Sequence, residues 1–236
     1  MNTPTQTAIA VDLHQINSLL QPLTARERIA WASAHFGPGV YALTSAGVDS
    51  ALLLDHLAQL KLSVPVIHIN TGFLPKETLA FRDKLKKRYG FKLYEFGPTT
   101  QQIQAITDEQ LWEVDLERYS QITKLAPLHQ AITKLGVRVL LTGIRGDQTA
   151  NRARLGFIGS GNDGELRINP FIDWSKREVN DYLSRYNLPR HPLYTQGFES
   201  VGDWHTTKPG TGRSGRTVIE CGLHMVNGRL VRQKTA

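Results

Sequence analysis

Cysteine occurs once in the 236 residues, at Cys221 within Glu220-Cys221-Gly222-Leu223-His224. A thiol reacts as its thiolate, and nearby cations favour that form. From Lys208 onward the chain carries Lys208, Arg213, Arg216, Arg229, Arg232 and Lys234 against Glu220, which is +5 of a formal net charge of +7. His224, three residues beyond the cysteine, could serve as a proton partner. A plainer account is open as well, with Cys221 a small buried hydrophobe and His224 a surface residue. A single thiol permits neither an intrachain disulfide nor an iron–sulfur cluster held by cysteines of one chain. It points to a reducing compartment, the cytoplasm. If Cys221 reacts, it acts alone or with a thiol from another molecule.

Three further stretches carry groups suited to anions. Ser45-Ala46-Gly47-Val48-Asp49-Ser50 is a small, hydroxyl-rich turn between a strand-like and a helix-like run. Backbone N–H groups in such a turn, with the helix dipole behind them, favour phosphate or sulfate oxygens. The bland alternative is a tight turn with Asp49 as a first-turn helix charge. Asn70-Thr71-Gly72-Phe73-Leu74-Pro75-Lys76-Glu77-Thr78 lies at the carboxyl end of the next strand. Ligands of open α/β sheets bind at such carboxyl ends, although, taken locally, a plain turn before a proline-started helix explains the residues better. Gly143-Ile144-Arg145-Gly146-Asp147-Gln148-Thr149-Ala150-Asn151-Arg152-Ala153-Arg154 follows another strand. Its arginine forks suit phosphate, or Arg145 pairs with Asp147 on a solvated loop.

The elements that must hold these turns read as alternating strands and helices. Val40–Thr44, Val64–Asn70 and Val137–Thr142 read as strands from their apolar residues, and Lys92–Phe96 is a further strand candidate. Ala51–Leu60 and Lys76–Tyr89 read as helices, the second opened by Pro75 and stopped at Gly90. Thr24-Ala25-Arg26-Glu27 and Ser175-Lys176-Arg177-Glu178 read as capping boxes. The second opens a helix to about Tyr186 with Val179, Tyr182, Leu183 and Tyr186 on one face. Helical segments between the third and fourth strands are less sharply marked. The pattern predicts an α/β fold with a doubly wound, mostly parallel sheet. We expect residues 1–188 to form an α/β domain with N-terminal helices, which the resemblance given below makes a nucleotide-binding one, and 189–236 a mobile C-terminal arm.

Hydrophobic residues make up 40% and charged residues 21%, as in a globular chain rather than a disordered one. No apolar run approaches a membrane span, and the first residues do not have the pattern of a secretory signal. A basic, Gly-rich tail suits a polyanion: nucleic acid, a nucleotide, or a phosphate- or sulfate-bearing metabolite.

With these residues in view, the chain resembles the phosphoadenylyl-sulfate (PAPS) reductase family from about Ala30 to His224. Glu220-Cys221-Gly222-Leu223-His224 is similar to that family's catalytic motif. His191-Pro192-Leu193-Tyr194 and Gly197-Phe198-Glu199-Ser200-Val201-Gly202-Asp203-Trp204-His205-Thr206-Thr207 also correspond. So do Thr71-Gly72-Phe73-Leu74-Pro75, Gly143-Ile144-Arg145 and Asn169-Pro170-Phe171-Ile172-Asp173-Trp174. The resemblance implies a fold of the adenine-nucleotide alpha-hydrolase type, a homodimer, and no resident cofactor or metal. It implies that PAPS is reduced to sulfite in assimilatory sulfate reduction. The Cys221 thiolate attacks the sulfonate sulfur, adenosine 3′,5′-bisphosphate leaves, and thioredoxin or glutaredoxin releases sulfite from the S-sulfonate. Cys221 and His224 are then the catalytic residues. Substrate contacts are expected from Ser45, Ala46, Gly47, Asp49 and Ser50, from Thr71 and Gly72, from Arg145 and Arg152, and from His205, Lys208, Arg213 and Arg216. A mobile arm would shield the reacting group when closed and offer Cys221 to the reductant when open.

The chain departs from the family pattern in places. Ser45–Ser50 looks closer to the SGGxDS loop of ATP pyrophosphatases, which leaves an adenylating enzyme as the alternative. Asn70 stands where the family has an acid, and His129-Gln130 where it has an Asn-Arg pair. The extra cysteines of iron–sulfur adenylyl-sulfate (APS) reductases are missing, which favours PAPS while leaving a cluster-free APS reductase open. A nucleic-acid-binding module is the reading from a different class, but the tail has no interleaved aromatics for base stacking.

Overall fold

The computed structural model describes residues 12–216, and beyond them the backbone strands Val218–Glu220 and Val231–Arg232. Val40-Tyr41-Ala42-Leu43-Thr44 forms β1 (Val40–Thr44), near the middle of a six-stranded sheet of order β3-β2-β1-β4-β6-β5. The other strands are β2 (Val66–Ile69), β3 (Leu93–Phe96), β4 (Val139–Leu141), β5 (Ile158–Ser160) and β6 (Leu166–Ile168). All neighbours run parallel except β5 and β6. β2 and β4 are buried at every position, as expected of strands covered on both faces. β2 is shorter than the apolar run that predicts it. Pro65 has no N–H to give, so it joins the ladder only through its carbonyl, which accepts the N–H of Ala42 at 2.9 Å.

The helices end where their residues say they should. Thr24 and Ser175 both form complete capping boxes, opening α2 (Ala25–Phe36) and α9 (Lys176–Arg185). α3 spans Ala51–Gln59, and α4 (Lys76–Tyr89) ends at Gly90 in the left-handed conformation. On α9, Val179 and Leu183 are buried while Tyr186 is exposed. The remaining helices are α1 (Leu13–Leu20), α5 (Thr100–Asp108), α6 (Leu111–Val114), α7 (Leu116–Ser120) and α8 (Ala126–Leu135). A π-helical turn, Gln121–Leu125, joins α7 to α8, its i−5 spacing marked by the Ala126 N–H donating to the Gln121 carbonyl.

The main core lies between the sheet and α2, α3 and α9, and a second lies under α8. A buried arginine stitches the N-terminal helices to it. The Arg28 guanidinium forms a bidentate pair with Asp173 at 2.7 and 2.8 Å and donates to the carbonyls of Leu20, Gln21 and Pro170. Asn169–Trp174 therefore works here as an anchor for α2. No helix among the described residues is long and apolar enough to cross a membrane.

Part of the expected arm is seated on the domain. His191, Val201, Asp203, Thr206 and Arg216 are buried. Short 3₁₀ turns at Pro192–Gln196 and Trp204–Thr206 carry the chain along the carboxyl edge of the sheet. β7 (Val218–Glu220) then pairs with β8 (Val231–Arg232) antiparallel.

Candidate active site

Strand order reverses between β1 and β4, whose chain connections leave in opposite directions along the sheet. A crevice opens outside the carboxyl ends at such a point. Here it is a cleft of about 220 Å³, walled by the ends of β1, β2 and β4 and roofed by residues 199–203, Arg213 and Arg216.

The first wall is the turn after β1, which brings Ser45, Gly47, Asp49 and Ser50 to the cleft. The Thr44 hydroxyl accepts the Ala46 N–H at 3.1 Å, and Ser50 N–H closes the turn on the Gly47 carbonyl at 3.1 Å. Ala46 is buried with φ of 49°, a left-handed conformation that costs a non-glycine residue on the order of 1–3 kcal/mol. Its side chain does not line the cleft. The Ser50 hydroxyl does not cap α3, and Ser45, Gly47 and Ser50 line the cleft together, a small, polar turn of a kind suited to an anion.

The second wall, after β4, contributes Thr142, Gly143, Ile144, Gln148 and Arg152. Arg145 is buried and turned away from the cleft. Its Nη1 donates to Asp49 at 2.6 Å and its Nε to Asp147 at 2.9 Å. Lys176 closes a ring, with Nζ on Asp49 at 2.9 Å and its backbone N–H on Asp147 at 2.6 Å. Arg145 was expected among the substrate ligands; its fork is committed to two carboxylates, and its place is that of a brace between loops. The pairing of Arg145 with Asp147, the alternative open from sequence, is present. Arg152 does line the cleft, with its guanidinium on the Gln148 side-chain oxygen.

Thr71 and Lys124 form the third wall, and between them sits Asp203, with no exposed surface. Lys124 Nζ donates to the Asp203 carboxylate at 2.6 Å, and the Thr71 hydroxyl donates to its other oxygen. Burial alone would raise this carboxyl, but the Lys124 ammonium, the Thr71 hydroxyl and the charge of Arg216 outweigh it and hold the pKa at about 2. Tyr119 beside it is pushed up by burial and by the Asp203 charge. Gly72 stays outside the cleft wall. It has φ of 81°, a backbone conformation that glycine adopts freely and other residues rarely do.

Of the arm residues, Arg213 and Arg216 reach the cleft. Gly202 makes room for Arg216: a Cβ on it would stand 2.0 Å from Arg216 Nη2. Lys208 is exposed and does not line the cleft. His205 sits elsewhere, ringed by Phe73, Trp112, Tyr119 and Trp204, with neither ring nitrogen hydrogen-bonded. Burial lowers its pKa to about 4 against the pull of Asp203, so the imidazole is neutral and offers an anion no charge. Cys221 and His224 lie outside the described residues. Lys124 and Asp203, which sequence reasoning did not single out, complete the site. The cleft is thus lined by Lys124, Arg152, Arg213 and Arg216 against Asp49, Glu199 and Asp203. Asp49 is already matched by Arg145 and Lys176 from outside, which leaves the cleft cationic.

Residues 39–209 match the family model described as a phosphoadenosine phosphosulfate reductase domain. The chain is 36% identical to a phosphoadenosine 5′-phosphosulfate reductase of Synechococcus sp. over 92% of its own length and 99% of that protein. It is also 36% identical to the Shewanella oneidensis protein of that name, over 90% and 91% of the two chains. In structure it is similar to a PAPS reductase from Candida auris solved as a phosphate complex, with TM-score 0.74, 28% identity, and 83% and 95% of the chains covered. A Candida glabrata FMN adenylyltransferase shares the fold alone, at TM-score 0.59 and 17% identity, over 84% and 64% of the chains. The sheet, the cationic cleft at its switch point and these similarities agree: the chain belongs to the phosphoadenosine phosphosulfate reductase family.

Proposed function

We propose that the chain reduces 3′-phosphoadenylyl sulfate to sulfite and adenosine 3′,5′-bisphosphate in assimilatory sulfate reduction, as a cytoplasmic homodimer with thioredoxin or glutaredoxin as reductant. The observation that carries this is the cleft itself. It places Ser45 and Ser50, from the turn before α3, in one cleft with four cationic side chains, two of them from the segment that leads to Cys221. A substrate with a phosphosulfate at one end and a 3′-phosphate at the other matches a site with anion contacts on both sides.

In this reading the loop after β1 holds the phosphosulfate end, and Arg152, Arg213, Arg216 and Lys124 share its charge and that of the 3′-phosphate. The Cys221 thiolate attacks the sulfonate sulfur. The S–O bond to the 5′-phosphate breaks, its electron pair stays with adenosine 3′,5′-bisphosphate, and Cys221 carries an S-sulfonate. A reductant thiolate then attacks Cys221 Sγ, and sulfite leaves with the electron pair of the S–S bond. The resulting mixed disulfide is resolved by the reductant's second thiol, so its dithiol supplies both electrons and no resident cofactor is needed. His224 is assigned as proton partner of the thiol.

The SGGxDS likeness of the Ser45–Ser50 loop suggests ATP chemistry, but both Asp49 oxygens are engaged by Arg145 and Lys176. An aspartate so paired is poorly suited to holding the metal of a bound ATP. Sulfite release from PAPS and from APS, with reduced thioredoxin, tests the reading. Sulfite from PAPS that disappears in Cys221→Ser supports it. Pyrophosphate from ATP with no sulfite from either sulfonate contradicts it.

A further inference from the structure

Asp203 occupies the N-cap position of the 3₁₀ turn Trp204–Thr206, where an aspartate ordinarily caps its own turn. Here its side chain makes no such bond. It reaches instead across the fold, to Thr71 after β2 and to Lys124 on the π-helical turn, 132 and 79 residues away in sequence. The segment around it is closed on itself by backbone bonds, Lys208 N–H to the Gly215 carbonyl at 2.8 Å and Gly210 N–H to the Gly197 carbonyl at 2.9 Å. Beside Asp203, the Trp204 N–H donates to the Phe73 carbonyl at 2.9 Å. Segment 197–216 is therefore a self-bonded loop resting on the sheet edge, pinned through a buried carboxylate.

We propose that Asp203 is a positioning residue, the peg that seats segment 197–216 and thereby sets Arg213 and Arg216 over the cleft. A buried carboxylate held by one ammonium and one hydroxyl is expensive to leave unmatched, so the seat is specific to these partners. Lys124 belongs to both sides of the arrangement, since it lines the cleft and holds the peg. The seating stands on the geometry alone; its catalytic consequence rests on the reductase reading above.

Two measurements on the full chain test it. In hydrogen exchange followed by mass spectrometry, Asp203→Asn and Thr71→Val should each speed exchange of segment 197–216 by roughly tenfold or more, with β1, β2 and α4 unchanged. In kinetics, Arg213→Gln should raise the KM for PAPS in the wild-type background by roughly tenfold, and by far less in the Asp203→Asn background, because the unseated arginine no longer reaches the substrate. If Asp203→Asn does not fold, Thr71→Val carries both tests, and Lys124→Gln the exchange test alone. Unchanged exchange of 197–216, equal acceleration across the sheet, or additive effects on KM would each overturn the proposal. If wild-type protein releases no sulfite, the reductase reading fails, and the exchange experiment still decides the seating.

Discussion

The Arg145 guanidinium lies 2.6 Å from the Asp49 carboxylate, so the loops that follow β1 and β4 are tied together at the switch point of the sheet. Both side chains are largely buried and are ringed by Asp147 and Lys176. Removing one member of such a pair leaves an uncompensated charge. Arg145→Gln should therefore lower the unfolding free energy by about 3 kcal/mol. Arg213→Gln, at the cleft mouth, should change it by less than about 1 kcal/mol while weakening binding of adenosine 3′,5′-bisphosphate. Urea unfolding and a binding titration on both variants distinguish brace from ligand. Equal loss of stability in the two would refute the distinction.

Gly202 and Arg216 form a second dependent pair. The guanidinium fills the space that any Cβ at position 202 would need. Gly202→Ala should displace the end of a flexible side chain rather than backbone, so the fold survives and the anion contact does not. We expect a rise in the KM for PAPS of roughly tenfold, with a modest loss of thermal stability because the displaced guanidinium is buried beside Asp203. An unaltered KM would show that Arg216 does not bear on the substrate.

Acid should destabilise the protein through its buried histidines. The Leu193 N–H donates to His191 Nδ1 at 3.2 Å, which leaves the proton on Nε2, 3.0 Å from the Thr78 hydroxyl. Burial holds its pKa at about 4 against the charge of Glu77, while the unfolded chain takes up the proton near 6.5. This contribution is complete above pH 6.5 and is lost as the pH falls to about 4, to the extent of about 3 kcal/mol. His56 and His68 are lowered by burial and act in the same direction. Unfolding free energies across that window should fall with pH, and His191→Gln should flatten the slope. A slope unchanged in the variant would count against a neutral His191.

The central strands were legible because a buried parallel strand is a continuous apolar run, as in Val139-Leu140-Leu141. Capping at Thr24 and Ser175 was legible because both partners of each box lie within four residues. β5 and β6 were not, since Ile158-Gly159-Ser160 and Leu166-Arg167-Ile168 are too short for any period to emerge. The helices before β4 were blurred in part by the π-helical turn, whose extra residue shifts the register that places Lys124 at the cleft. Arg145 and His205 were recognisable as residue types suited to a ligand. Their partners, Asp49 in one case and the rings of Phe73, Trp112 and Tyr119 in the other, are set by contacts distant in sequence. Asp203 lay inside a recognised motif, but only its burial between Thr71 and Lys124 reveals its part.

The central claim is that Cys221 receives the sulfonate group. The direct measurement is intact and peptide mass spectrometry of the reduced protein after mixing with PAPS, before any thioredoxin is added. The account predicts a mass increase of one SO3 unit on the peptide that holds Cys221, lost on adding reduced thioredoxin and absent in Cys221→Ser. Unmodified Cys221 under conditions where adenosine 3′,5′-bisphosphate is nonetheless released would contradict it.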